Sequence, residues 1–290
     1  MPFVENQGAR IYWDERGHGA PLLMIMGLGY PSYIWHRTRP ILEARYRTIA
    51  LDNRGVGRSD VPPGPYSIAL MASDAAAVLD AAGVESAHVF GISMGGMIAQ
   101  EFALLYPKRV RSLILGCTAA GGPTVIRADK DATEMLKARG QMDPEQAAEV
   151  AVPFIYDPAT PREKIDEDIA IRRPWFPKAE AYIAQLQGIL AWEAYSRLEG
   201  ITAPTLVIHG ESDRLVPPTN GRLIADRIPG AKLVTIPHAG HLFLTDQTET
   251  AHHIILEFLN AQARGAGMEC GSTSCRVGAL SDPSEKEKVS

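Results

Sequence analysis

Six short stretches of this chain are largely apolar without alternating, and each stops at a residue that ends strands. Pro21–Leu22–Leu23–Met24–Ile25–Met26 stops at Gly27, Arg47–Thr48–Ile49–Ala50–Leu51 at Asp52, and His88–Val89–Phe90 at Gly91. Residues 110–115 stop at Gly116, Thr205–Leu206–Val207–Ile208 at His209–Gly210, and 232–236 at Pro237. Strands buried on both faces read this way, and such strands build parallel sheets. Helical patterns separate them: 67–82, Ala-rich with Gly83 past its end, 94–106 stopped by Pro107, 218–227 and 246–263. The alternation predicts an α/β fold, an open and mostly parallel sheet with helices on both faces. Before the first run, Phe3–Val4–Glu5 and Arg10–Ile11–Tyr12–Trp13 flank Asn6–Gln7–Gly8–Ala9, a hairpin pattern.

The rhythm breaks between 121 and 201, where helical patterns over 124–140, 144–156, 161–172 and 178–198 follow one another without a strand. We read 1–120 and 202–265 as the core and 121–201 as a helical cap over the carboxyl edge of the sheet. From Ala266 the sequence is Gly/Ser-rich and aperiodic, so 266–290 is expected to be a disordered tail. The net charge of −5 gives no field to attract nucleic acid or an anionic membrane, and no apolar run reaches the roughly 20 residues of a membrane helix. The first ten residues lack a basic region followed by an apolar stretch, and three Cys are too few for a disulfide framework; together these indicate a soluble, cytoplasmic protein. Cys117 is expected to be a small buried apolar residue, and Cys270 and Cys275 would pair only in an oxidising setting. No Cys/His spacing suggests a metal site, and Gly55–Val56–Gly57 lacks the third glycine and following helix of a dinucleotide loop.

Gly91–Ile92–Ser93–Met94–Gly95 lies between an apolar run and a helical pattern, the context in which Gly-x-Ser-x-Gly presents a nucleophile. A strand that becomes a helix within one residue holds Ser93 in a strained conformation with its hydroxyl above the sheet. The amides at the start of the following helix suit a developing negative charge. A Gly-rich turn that merely caps a helix is the plainer reading of the five residues alone.

A serine hydroxyl needs a base, and the base an orienting carboxylate. Asp213 follows the 205–208 run and His241 follows the 232–236 run, giving the chain order Ser93, Asp213, His241. Glu211 competes with Asp213 but is read as a solvated loop carboxylate. His238 competes with His241 but is assigned to holding the loop by hydrogen bonding. Of two oxyanion donors, one is the Met94 amide; the other should come from Gly27–Leu28–Gly29–Tyr30.

At this point the chain resembles the α/β-hydrolase superfamily over roughly residues 3–263. The resemblance rests on the triad, on Gly27–Leu28–Gly29 with Trp35 downstream, on Asp52–Asn53–Arg54–Gly55–Val56–Gly57–Arg58–Ser59, and on Leu215–Val216–Pro217 after Asp213. It implies an eight-stranded, mostly parallel sheet with a cap domain, no cofactor, and the Leu28 amide as the second donor. The family commonly has His-Gly where this chain has Met26–Gly27, and a methionine there would pack among apolar neighbours. Asp52 and Arg54 look like loop organisers, with a solvated pair as the alternative. Relatives that form alkyl-enzyme esters carry aspartate at the position of Ser93, so serine points to acyl transfer.

The expected function is hydrolysis of a small carboxylic ester or lactone through an acyl-enzyme on Ser93. Trp175 and Trp192 could line an apolar pocket, although packing within the cap explains most of its aromatic residues. Arg172 and Arg173 could bind a substrate carboxylate, which would lean the resemblance toward enol-lactonase-like relatives; a solvated helix end is the alternative. Two other functions stay open: a carbon–carbon bond hydrolase of aromatic-ring degradation, which often shares the Ser-Met-Gly-Gly of residues 93–96, and a binding protein on a hydrolase scaffold. The oligomeric state is open, a homodimer included.

Overall fold

The computed structural model describes residues 3–268. All eight expected strands form: β1 (Phe3–Asn6), β2 (Ala9–Arg16), β3 (Ala20–Ile25), β4 (Tyr46–Leu51), β5 (Ala87–Ile92), β6 (Val110–Gly116), β7 (Thr205–Gly210) and β8 (Lys232–Ile236). They make one sheet in the order β1-β2-β4-β3-β5-β6-β7-β8. The β1–β2 and β2–β4 pairs are antiparallel, and every pair from β4 to β8 is parallel.

The missing alternation in the sequence has a direct structural cause. Along β3, Leu23 and Ile25 enter one core layer and Leu22 and Met24 the other. The first layer lies under α1 (Ile68–Ala81) and α2 (Met94–Leu105), and Ser67 caps α1 by accepting from the Leu70 amide. The second lies under Trp35 and the helix α8 (Thr248–Met268) through Ala251, Ile255 and Leu259. The helix α7 (Thr219–Arg227) adds Ile224 to the first layer. No helix among the described residues is long and apolar enough to cross a membrane.

Four helices stand between β6 and β7: α3 (Lys130–Arg139), α4 (Pro144–Ile155), α5 (Arg162–Arg172) and α6 (Ala179–Ala191). Two are shorter than the sequence suggests. Helix α3 starts only after Asp129, whose carboxylate accepts from the Ala132 amide and so fixes the N-terminus there. Helix α6 ends at Ala191 because the next residue, Trp192, is extended and Glu193 bridges to Gly121. At the C-terminus α8 runs to Met268, into the first residues of the expected tail; the rest of that tail, with Cys270 and Cys275, lies outside the described residues.

Asp52 and Arg54 are not a solvated pair. Asp52 is fully buried and accepts from the amides of Ser32 and Arg58, and from Arg58 Nε. Arg54 turns the other way, onto Asp74 of α1, with both carboxylate oxygens at 2.6–2.7 Å. The two residues thus anchor the loop after β4 at different points. The loop's positive-φ Gly57 is packed against Asp52, where a Cβ would come within 2.3 Å of the carboxylate.

Candidate active site

Parallel register brings distant residues to one edge. Ile92 of β5 pairs with Gly116 of β6, and Gly116 with Ile208 of β7. Gly210 of β7 pairs with Ile236 of β8. Ser93, Asp213 and His241 all follow the carboxyl ends of these strands, the edge where open α/β sheets bind ligands.

Ser93 has φ 57° and ψ −123°, a backbone state rarely adopted by residues other than glycine. Its neighbours show what the bend requires. A Cβ on Gly91 would lie 2.2 Å from the Gly95 carbonyl oxygen, and one on Gly95 would lie 2.1 Å from the Ile25 carbonyl oxygen. Strand β5 and helix α2 can close around Ser93, and α2 can rest on the end of β3, only because both positions are bare. Thr118 braces the bend by donating to the Ser93 carbonyl at 2.7 Å. The Ser93 hydroxyl makes no hydrogen bond among the described residues.

His241 lies near Asp213, with Nδ1 at 2.8 Å from Oδ2. A carboxylate only accepts, so the proton sits on Nδ1 and Nε2 presents its lone pair. Asp213 Oδ1 accepts from the amides of Leu215 and Val216, both at 2.9 Å, which accounts for the Leu-Val-Pro segment after it. Burial pushes the Asp213 carboxyl up, but His241 and His209 beside it outweigh burial and hold it well below the usual carboxylate range. Glu211 is exposed, its carboxylate 3.4 Å from the Thr235 hydroxyl. His238 is also exposed. It shapes the loop through a positive φ of 55° and a carbonyl that accepts from Gln247, not through its imidazole as expected.

The two expected oxyanion donors are uncommitted. Among the described residues neither the Leu28 nor the Met94 amide donates to a protein acceptor. Gly27 is packed against Ser93, where a Cβ would stand 2.9 Å from the serine Cβ, so the loop after β3 lies directly beside Ser93. Met26 is buried in the second core layer, and its carbonyl accepts from Asn53 at 2.8 Å. A residue that the sequence reading missed holds this loop from the other side. Gln185 of α6 is fully buried; its Oε1 accepts from Gly29 N and its Nε2 donates to the Arg54 carbonyl, each at 2.9 Å. The signal was a lone amide on the helix face formed by Ala181, Ala184 and Gly188.

Asp246 was missed as well. It accepts from Gly240 N at 2.7 Å, from Thr160 Oγ1 at 2.6 Å and from Asp157 N at 3.3 Å, tying the His241 loop to the segment between α4 and α5. Burial raises its carboxyl to about 6. A folded-state value above the unfolded 3.8 means that this group's stabilisation is complete below 3.8 and is lost as pH rises through about 6. Relative to Asp246→Asn, the wild type should therefore gain roughly 2–3 kcal/mol on acidification from pH 7 to 4. Urea unfolding of both proteins at the two pH values checks this, and a difference that does not change with pH would contradict it.

Of the four side chains expected around the substrate, Arg172 lines a described cavity. Trp192 is packed in the first core layer, and its indole donates to Glu101 of α2 at 2.8 Å. Trp175 stacks on Tyr33 with ring centres 5.4 Å apart. Arg173 is exposed and paired with Glu145 at 2.9 Å. Arg172 is buried, not solvated, and faces a cavity of about 210 Å³. Cys117 is fully buried, with burial pushing its thiol up, so it is not poised as a nucleophile. Cys117, His209 and Asp213 bring ligand atoms within 4.8 Å of one another. The atoms that face one another are engaged: His209 Nε2 gives its proton to the Val216 carbonyl at 2.7 Å, and Asp213 holds His241 and two amides, while His209 Nδ1, on the Gly221 side of the ring, has no partner among the described residues.

Comparison with known proteins agrees with this architecture. The family model described as alpha/beta hydrolase fold matches residues 20–161 and 170–248. A protein of Azorhizobium caulinodans named "Putative carbamate hydrolase RutD" is 35% identical over 263 residues, covering 89% of this chain and 98% of its own. The poly(3-hydroxyalkanoate) depolymerase of Ectopseudomonas oleovorans is 35% identical over 269 residues, covering 91% and 93%. Among solved structures, Est816, described as an N-acyl homoserine lactone degrading enzyme, is 30% identical with a TM-score of 0.74, covering 89% of this chain and all of its own. A family match over 20–161 and 170–248, joined by the strand order and the serine bend, makes this chain a member of the alpha/beta hydrolase family.

Proposed function

We propose that the protein is a serine hydrolase that cleaves a carboxylic ester or lactone through an acyl-enzyme on Ser93. The observation that carries this reading is the 2.8 Å contact from His241 Nδ1 to Asp213, which leaves Nε2 as a base at the sheet edge that also holds Ser93 and two open amides. Nε2 takes the Ser93 proton as Oγ attacks the carbonyl carbon. The carbonyl electron pair moves onto oxygen, held by the Leu28 and Met94 amides. Collapse expels the alcohol, which takes the proton from Nε2. Water, deprotonated by the same nitrogen, then releases the acid and restores Ser93. Asp213 stays ionised and stabilises the imidazolium. The hydrogen bond from Ser93 to Nε2 is the one link not yet made, and such contacts tighten when substrate binds.

The chemistry needs no cofactor, and its partner is a small-molecule ester or lactone. The names of two relatives, a poly(3-hydroxyalkanoate) depolymerase and an N-acyl homoserine lactone degrading enzyme, are in keeping with these two bond types. Diethyl 4-nitrophenyl phosphate tests the reading. One equivalent of 4-nitrophenol should be released, with a diethylphosphoryl group on the peptide that carries Ser93. Labelling elsewhere, or none, overturns the assignment; the latter is the outcome for a binding protein on this scaffold.

A further inference from the structure

Arg172, the last residue of α5, is 2% exposed. Its Nη1 donates to the Tyr30 hydroxyl at 2.8 Å, and its guanidinium carbon lies 3.6 Å from the Tyr30 ring centre. Its Nε has no partner. No carboxylate lies within ion-pair distance among the described residues. The acid whose charge reaches it, Asp168, is engaged by the Thr245 hydroxyl at 2.6 Å, the Tyr156 hydroxyl at 3.2 Å and Arg37 Nε at 3.3 Å. A guanidinium removed from water with unpaired donors is costly unless an anion answers it.

The cavity that Arg172 faces has two more cations on its wall, Arg139 at the end of α3 and Lys178 just before α6, and no acidic residue. Neither Arg139 nor Lys178 has an ion pair among the described residues. Phe176 and Tyr182 supply apolar surface, and Gly29 closes one side. The volume of about 210 Å³, against about 30 Å³ for a water molecule in the liquid, suits a carboxylate on a short chain. Gly29 places this pocket beside the oxyanion loop. Gly29 follows Leu28, and its Cα lies at most about 7.6 Å from that of Gly27, which packs against Ser93.

We propose that this cavity binds a carboxylate, and that the ester or lactone cleaved at Ser93 carries that carboxylate at the far end of its acyl chain. The substrate half rests on the serine-hydrolase reading above. Stacking on Tyr30 holds the Arg172 fork planar and aimed, the arrangement that suits bidentate carboxylate binding. Lys178, exposed at the mouth, steers anions inward. A spacer of about three carbons bridges the two positions, which makes glutarate a suitable probe.

Two measurements test this. In the first, glutarate is titrated calorimetrically into the wild type at low ionic strength, with glutaramide as the uncharged control. Saturable binding of glutarate alone is expected, weakened about tenfold in Arg139→Gln. Lys137→Gln, which removes one charge from an exposed position on the same helix, should bind as the wild type does. Arg139 is chosen over Arg172, whose packing on Tyr30 supports the fold. In the second, kcat/KM is compared for 4-nitrophenyl hydrogen glutarate and 4-nitrophenyl pentanoate. The acidic ester should be preferred about tenfold or more, and Arg139→Gln should erode that preference through KM. No saturable glutarate binding, or equal weakening in Lys137→Gln, overturns the site. Glutarate binding with equal turnover of the two esters overturns the substrate assignment. Glutarate binding with no turnover of either ester counts against the hydrolase reading and leaves the carboxylate site standing.

Discussion

Replacing Ser93 with alanine should lower ester turnover by a factor on the order of 10⁴ to 10⁶ while leaving the thermal unfolding midpoint essentially unchanged. The two halves of this expectation have separate structural grounds. The serine hydroxyl makes no hydrogen bond among the described residues, so its removal orphans no partner. The positive-φ bend is imposed by the closure of Gly91 and Gly95 around it, and alanine can occupy it as serine does. What is lost is the attacking oxygen, and nothing else at this edge can replace it, because Cys117 is fully buried with its thiol held protonated. Purified protein assayed on 4-nitrophenyl esters, with calorimetry alongside, checks both halves. Activity within tenfold of the wild type would refute the assignment.

Asp213→Asn should lower kcat by about 10³- to 10⁴-fold with a modest change in KM. An asparagine that keeps its oxygen toward the Leu215 and Val216 amides turns its NH₂ toward His241 Nδ1. The imidazole must then carry its proton on Nε2, and the base facing Ser93 is gone. Stability gives a second readout. The Asp213 carboxyl titrates below its unfolded value of 3.8, so its contribution is complete above that value and disappears as pH falls through and below it. The stability gap between wild type and Asp213→Asn should therefore be widest near neutrality and close in acid. A variant that keeps more than about a tenth of wild-type kcat would remove Asp213 from the relay.

Strands β3 to β7 were legible because burial on both faces leaves a mark in a single sequence, whereas β1 and β2 were read from the turn between them. Leu22 to Ile25 must be apolar at consecutive positions when two core layers claim alternate side chains. The serine bend was legible for a similar reason, since two glycines are forced at fixed spacing where any Cβ would run into a backbone carbonyl oxygen. The ends of α3 and α6 were harder to read. The reading that began α3 at 124 passed over the Asp129 cap, and the bridge from Glu193 to Gly121 that stops α6 joins residues far apart in the chain.

The surroundings of the site were the least legible. Arg54 pairs with Asp74 and not with nearby Asp52, Trp192 binds Glu101, and Asp246 holds Gly240. Each of these is a tertiary choice between partners of equal chemistry, decided by which helix passes nearby. Arg172 shows the same limit. A helix end beside a proline reads as solvated, and it is the packing of Tyr30 and Phe176 against it that takes it out of water.

Gln185 makes the helical segment more than a roof. One amide side chain fixes both the Gly29 nitrogen and the Arg54 carbonyl, so the stretch bearing the Leu28 amide takes its position partly from a helix more than a hundred residues later. Exchanging that segment for one from another family member, as a means of changing which molecules are accepted, would also unpin the amide beside Ser93. Chimeras that keep a glutamine in register with 185 should retain their rate constants, whereas those without it should bind new compounds yet process them slowly.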